Sequence, residues 1–202
     1  MRHIVFDLGK VLVHFSYSRL FPLLRGRGAQ LVDVEEFAAR VDLVEYEHGR
    51  LSNAEFLERV NAQLSDPLEA EALEHAWCHI FTPNPQMLQL LRALRPTHRV
   101  YIISNTSDLH WRYLKERFAL EQLCDDCFAS CEIGLMKPAT EIYRLAEQRF
   151  GFKPDEAVFI DDRHENVAGA IACGWGGIHH LCYGETLEQL RQLGLSPPSL
   201  EI

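Results

Sequence analysis

The sequence predicts an α/β fold: a three-layer core around a parallel sheet, with a small helical cap inserted after the first strand. Three observations lead there. Short apolar runs that end abruptly at reactive polar residues recur along the chain, helical patterns fall between them, and residues 17–80 break the alternation with helical patterns alone. Strands alternating with helices imply βαβ units and a sheet covered on both faces.

Each element has its own warrant. Ile4-Val5-Phe6 stops at Asp7-Leu8-Gly9-Lys10, and Val11-Leu12-Val13 follows. A run this short, bounded by an acid and a glycine, reads as a buried parallel strand entering a tight loop. Val100-Tyr101-Ile102-Ile103 repeats the pattern into Ser104-Asn105-Thr106, and Ala157-Val158-Phe159-Ile160 repeats it into Asp161-Asp162. Residues 127–130 and 177–180 are weaker candidates that bring the sheet to five strands. Helices are expected over Pro85–Leu94, Asp108–Phe118 and Thr140–Phe150, the last closed by Gly151 as a C-cap. In the inserted region they are expected over Ser18–Leu24, Val34–Val41, Ser52–Leu64 and Pro67–Ile80, with Ser52-Asn53-Ala54-Glu55 as a capping box. Thr82-Pro83-Asn84-Pro85 punctuates the return to the alternating pattern. The expected division is a core of residues 1–14 and 83–202 with a cap of residues 15–82.

Composition narrows the function classes. With 202 residues and 47% apolar content, the chain supports one domain with a modest insertion. A net charge of −9 argues against a broad nucleic-acid or anionic-membrane surface, yet leaves room for a small anionic substrate held by local cations or a metal. The opening segment lacks a signal-peptide core, and no apolar run reaches the roughly 18 residues of a membrane span. A cytoplasmic location is expected, with six reduced cysteines. Cys124, Cys127 and Cys131 have partial metal-ligand spacing without a second C-x-x-C pair, and His75 and His79 lack the intervening Glu of a zinc helix, so both groups read as structural.

Reactive residues in open α/β sheets gather beyond the carboxyl ends of the strands. Asp7, Ser104 and Asp161-Asp162 all follow predicted strands, and Lys137 stands in Gly134-Leu135-Met136-Lys137-Pro138. Together they supply a carboxylate to attack phosphorus, a hydroxyl and an ammonium to hold phosphoryl oxygens, and further carboxylates for a hard cation.

On these four stretches, in this order and across essentially the whole chain, the sequence resembles the haloacid dehalogenase superfamily. Within it, the branch with Phe-Asp-Leu-Gly at the first motif, which includes α-D-glucose-1-phosphate phosphatase-like enzymes, is the most similar. The resemblance implies a Rossmann-like core and magnesium-dependent hydrolysis of a small phosphorylated metabolite, a sugar phosphate being the first candidate. Asp7 would form an aspartyl-phosphate, Ser104 would donate to a phosphoryl oxygen, Lys137 would neutralise shared charge, and Asn105 would contact the phosphoryl or leaving group. Mg2+ would be held by Asp7, the Gly9 carbonyl and Asp162, with Asp161 either a direct ligand or one step removed, and Asn166 supporting a bound water. Monomer and homodimer are equally compatible with the sequence.

One departure matters. Most phosphatases of this superfamily carry a second Asp two residues after the nucleophile, as general acid and base; here that residue is Gly9. Such a group contributes about 10²–10⁴ in rate. Three readings compete: the substrate has a good leaving group, another acid such as His14 or a cap residue substitutes, or the protein is a weak phosphatase or an impaired relative that binds. Dehalogenases of the family also lack that Asp, but they work without metal and typically lose the acid pair that Asp161-Asp162 preserves. Lys10 stands where the branch often has Asn. Arg50 and Tyr46, in the polar stretch 45–50 of the cap, are candidates to face a substrate.

Overall fold

Ile4, Val5 and Phe6 are completely buried, which a strand achieves only with both faces covered. Residues 2–30 and 33–197 are described in the computed structural model. In chain order the elements are β1 (His3–Phe6), β2 (Val13–Phe15), α1 (Leu20–Gly26), α2 (Val34–Arg40), α3 (Leu43–Glu47), α4 (Asn53–Asn61), α5 (Ala70–Cys78), β3 (Phe81–Pro83), α6 (Pro85–Leu94), β4 (Arg99–Ser104), α7 (Asp108–Phe118), α8 (Leu120–Leu123), β5 (Asp126–Ala129), α9 (Ser130–Ile133), α10 (Thr140–Phe150), β6 (Ala157–Asp161), α11 (His164–Ala172), β7 (Gly176–His179) and α12 (Tyr183–Gln192).

Five strands form one parallel sheet in the order β5-β4-β1-β6-β7. Side chains alternate across it. Ile4, Phe6, Val100, Ile102, Val158 and Ile160 pack on α6, α7, α8 and α12, while Val5, Tyr101, Ile103 and Phe159 pack on α10 and α11. The expected α/β class and five-stranded parallel sheet are both present. Gly151 takes φ +71° at the end of α10, the left-handed turn a glycine C-cap provides.

The inserted region packs around its own apolar cluster, centred on Phe37, Tyr46, Phe56 and Trp77. Its α4 begins with the expected capping box: Ser52 Oγ accepts from the Glu55 amide, and Glu55 accepts from the Ser52 amide at 2.8 Å. Two features of the insertion and its junctions lay outside the sequence reading. The short helix α3 is one, and the antiparallel ribbon that β2 and β3 form where the chain leaves and re-enters the sheet domain is the other. Thr82 and Pro83, expected as punctuation only, belong to that ribbon, and Asn84 then caps α6 by accepting from the Met87 amide. Among the described residues no helix is long and apolar enough to cross a membrane.

The two apolar regions meet at His110 of α7. Its ring stacks on Trp77 with centroids 4.6 Å apart, and its Nε2 donates to the Trp77 carbonyl at 3.0 Å. Burial pushes the imidazole down to about 4, against the opposing pull of that carbonyl. Between that value and the ordinary 6.5 the unfolded chain binds a proton that the native chain excludes, so stability rises with pH across this window. Acidification from pH 6.5 to 5 is expected to cost about 2 kcal/mol through this residue. Denaturant midpoints measured from pH 4.5 to 7 should show a shallower slope in His110→Gln; an unchanged slope would mean that His110 titrates as in the unfolded chain.

Candidate active site

The sheet order sets the site. β1 lies between β4 and β6, so their carboxyl ends bring Asp7, Ser104-Asn105 and Asp161-Asp162 to one edge. The Asp7 amide donates to the Ile160 carbonyl at 2.8 Å, extending the ladder one residue beyond β1 and fixing the backbone from which its carboxylate projects.

Lys137, from the loop between α9 and α10, enters this edge and is the pivot of its charges. Its ammonium has no solvent exposure and donates to Asp7 Oδ1 at 2.6 Å, Asp161 Oδ2 at 2.7 Å and the Ile103 carbonyl at 3.1 Å. Burial alone would lower the lysine; the two carboxylates reverse that and hold it above its ordinary value. Burial likewise drives Asp7 above the ordinary carboxylate range, opposed by the Lys137 ammonium and reinforced by Asp161.

The remaining acids differ in freedom. Asp161 is completely buried and fully engaged: besides Lys137 it accepts from the Arg163 amide at 2.8 Å and from Asn166 Nδ2 at 3.0 and 3.1 Å. Asp162 opens onto the cavity, with Lys10 Nζ 3.6 Å away. Lys10 itself takes φ +56°, a left-handed conformation that Asn adopts more readily than Lys.

The residues suit a hard cation. Asp7, Asp161 and Asp162 offer carboxylate oxygens all within 4.8 Å of one another. The Gly9 carbonyl accepts no hydrogen bond among the described residues. Asn166 Oδ1 is buried and without a partner among the described residues, while its Nδ2 is fixed on Asp161; an acceptor left this way suits a metal-bound water.

Asn105, which lines both cavities, has a side-chain task that the sequence does not announce. Its Nδ2 donates to the Lys137 carbonyl at 2.8 Å, and its Oδ1 accepts from the Lys137 amide at 2.9 Å, so it clamps the lysine's backbone. Ser104 is buried at the end of β4 and lines a small apolar recess with Val13, Phe15, Tyr17 and Phe81. That recess adjoins the polar cavity of about 180 Å³ onto which Asp7, Lys137, Asp162 and Asn166 open; the two share Gly9, Phe15, Glu47 and Asn105.

The inserted region contributes one residue that sequence reasoning missed. Within the stretch 45–50, Arg50 pairs with Glu45 on the surface and Tyr46 is completely buried, bonded to Asn53. Glu47 between them lines both cavities. No pattern in the sequence marks it; only the orientation of α3 does. His14 is exposed on β2, whereas its neighbours Val13 and Phe15 face the recess, as strand alternation requires. His75 and His79 stack on each other 3.7 Å apart with no third ligand among the described residues, and Cys124 and Cys127 are buried free thiols.

The chain belongs to the haloacid dehalogenase-like hydrolase family, whose model matches residues 1–174. Similar full-length relatives are a D-ribitol-5-phosphate phosphatase of Bacteroides thetaiotaomicron, 27% identical over 83% of this chain and 85% of its own, and a sesquiterpene phosphatase of Aspergillus oryzae, 28% identical over 94% of each. A crystal structure of a B. thetaiotaomicron enzyme of this family, in complex with magnesium and inorganic phosphate, matches with a TM-score of 0.83 at 26% identity, covering 94% of this chain and 98% of that one. The L-2-haloacid dehalogenase of Xanthobacter autotrophicus shares the fold, with a TM-score of 0.62 at 20% identity.

The clamp on Lys137 yields a direct test. Asn105→Ala removes two hydrogen bonds and is expected to destabilise the protein by about 1–3 kcal/mol in chemical denaturation, without any substrate or metal present. A residue held only for contact with a phosphoryl group would leave that stability unchanged.

Proposed function

We propose that the protein is a magnesium-dependent phosphatase of small phosphate monoesters, working through an aspartyl-phosphate on Asp7. The observation that carries this reading is the buried Lys137 ammonium set between Asp7 and Asp161, with Asp162 open to the same cavity. The phosphatase names of its full-length relatives support it.

In this reading each residue has a role. Asp7 is the nucleophile, its attacking oxygen aimed by the Lys137 hydrogen bond and by its ladder position. Lys137 offsets charge that gathers between Asp7 and the phosphoryl group. The Ser104 hydroxyl donates to a phosphoryl oxygen, and Asn105 keeps Lys137 in register. Asp7, Asp162 and the Gly9 carbonyl are the direct ligands of the cation; Asp161, engaged on three sides, orients the others. Bound there, magnesium supplies charge neutralisation and orients the phosphoryl group for in-line attack. The need is physical: each pair of like charges 4 Å apart costs about 4 kcal/mol at an effective dielectric near 20. Residues 15–82 act as a cap that closes over the cavity, excludes water during attack and selects the substrate. A phosphorylated sugar or polyol is the class to try first, in keeping with the D-ribitol-5-phosphate relative. The intact Asp161-Asp162 pair favours this over haloacid chemistry.

Phosphate release from p-nitrophenyl phosphate should require magnesium, stop on chelation, and fall by at least about 10³-fold in Asp7→Asn. Equal trace activity in both proteins would sink the reading. A panel of sugar and polyol phosphates assayed with magnesium then ranks the substrates.

A further inference from the structure

Gly9 carries no acid, although it lines both cavities. A Cβ built on it would lie 3.3 Å from Phe15 Cε1, in close contact with the aromatic ring of β2. An acid facing the cavity therefore comes from another element. His14 faces away from it, and Asp161 is fully engaged.

Glu47 is the carboxyl that remains. It ends α3, is half-buried, and lines both the polar cavity of Asp7 and the apolar recess beside it. Among the described residues its carboxyl makes no hydrogen bond and no ion pair. Its backbone, in contrast, is held firmly on the core. The Glu47 carbonyl accepts from Ser130 Oγ at 2.6 Å, and that same hydroxyl accepts from the Thr106 amide at 3.0 Å, just beyond Ser104 and Asn105. Two residues on, Gly49 takes φ +72° with the space for a Cβ only 2.2 Å from the Cys131 carbonyl, so the loop after α3 lies directly on α9. An unpaired carboxyl on an immobilised backbone, facing a reactive cavity, is an arrangement suited to proton transfer.

The geometry points to Glu47 as the general acid and base of the reaction, supplied by the inserted helices in place of the missing residue at Gly9. This inference rests on the phosphatase reading. In the first step an Asp7 oxygen bonds to phosphorus, the bond from phosphorus to the ester oxygen breaks, and that oxygen takes the Glu47 proton and leaves as the alcohol. In the second, the Glu47 carboxylate takes a proton from water as the water oxygen bonds to phosphorus. The bond from Asp7 to phosphorus breaks, its electron pair returns to Asp7, and inorganic phosphate leaves with Glu47 protonated again. Burial pushes Glu47 up to about 7, with Arg163 opposing, which places both protonation states within reach at neutral pH.

The test uses Glu47→Gln, which changes no hydrogen bond among the described residues, with p-nitrophenyl phosphate and phenyl phosphate as probes in the presence of magnesium. Phenyl phosphate, with the poorer leaving group, is expected to lose about 10²–10⁴-fold in kcat. With p-nitrophenyl phosphate the first step should survive and the second stall, giving a burst of one nitrophenol per enzyme followed by slow turnover. Glu47→Asp, with a carboxyl one methylene shorter, should recover part of the steady rate and lose the burst. Equal losses on both probes with no burst, or no loss at all, would overturn Glu47 as the acid and base while leaving Asp7 as nucleophile. Wild type inactive on both probes would instead refute the phosphatase reading, and this inference with it.

Discussion

The Lys137 ammonium, buried against Asp7 and Asp161, is the interaction on which the site depends. A lone charge moved from water to such an environment carries a penalty of several kcal/mol. Here two carboxylates and the Ile103 carbonyl surround it, so the desolvation of three charged groups is offset by three short hydrogen bonds. Removing Lys137 would leave the buried Asp7 and Asp161 carboxylates without the cation between them, which explains why the contacts that hold it are so complete. Asn105 fixes both the amide and the carbonyl of Lys137, Asn166 and the Arg163 amide saturate Asp161, and the Ile160 carbonyl fixes Asp7. β1, β4 and β6 lie side by side, and that order is what lets these residues converge; the buried strands provide a rigid frame for a cluster that still carries excess negative charge.

That frame also explains what was legible in the sequence. β1, β4 and β6 are buried on both faces, so each is written as an unbroken apolar run, and each ends where a reactive side chain begins. α6, α7 and α10 span residues 85–94, 108–118 and 140–150 as their amphipathic spacing predicts. The β2–β3 ribbon is different in kind: its pairing joins Val13 to Pro83 across the whole insertion, and no local pattern in three residues can carry it. α3 is too short for periodicity to register. At the site, residue type was legible and direction was not. The resemblance implies a phosphoryl or leaving-group contact for Asn105, and it gives no sign that the side chain also bonds a residue 32 positions away, in a loop whose path the sequence does not reveal. Tyr46 and Arg50 were the conspicuous residues of their stretch, yet a turn of α3 presents Glu47 instead.

Gly9 joins these two lessons. Read alone, a glycine at the acid's place implies a weakened enzyme. The structure sets other groups around it: the Phe15 ring lies against it, and the insertion, anchored through Ser130 and Gly49, places a carboxyl on the cavity wall. If proton transfer belongs to the cap and attack belongs to the core, then neither half completes the reaction alone. Because Ser130 and Gly49 hold the end of α3 on the core, Glu47 would keep its place on the cavity wall whatever the rest of the insertion does. Leaving-group departure and phosphoenzyme hydrolysis would share one structural determinant, the contact between the end of α3 and the loops beyond β4 and β5.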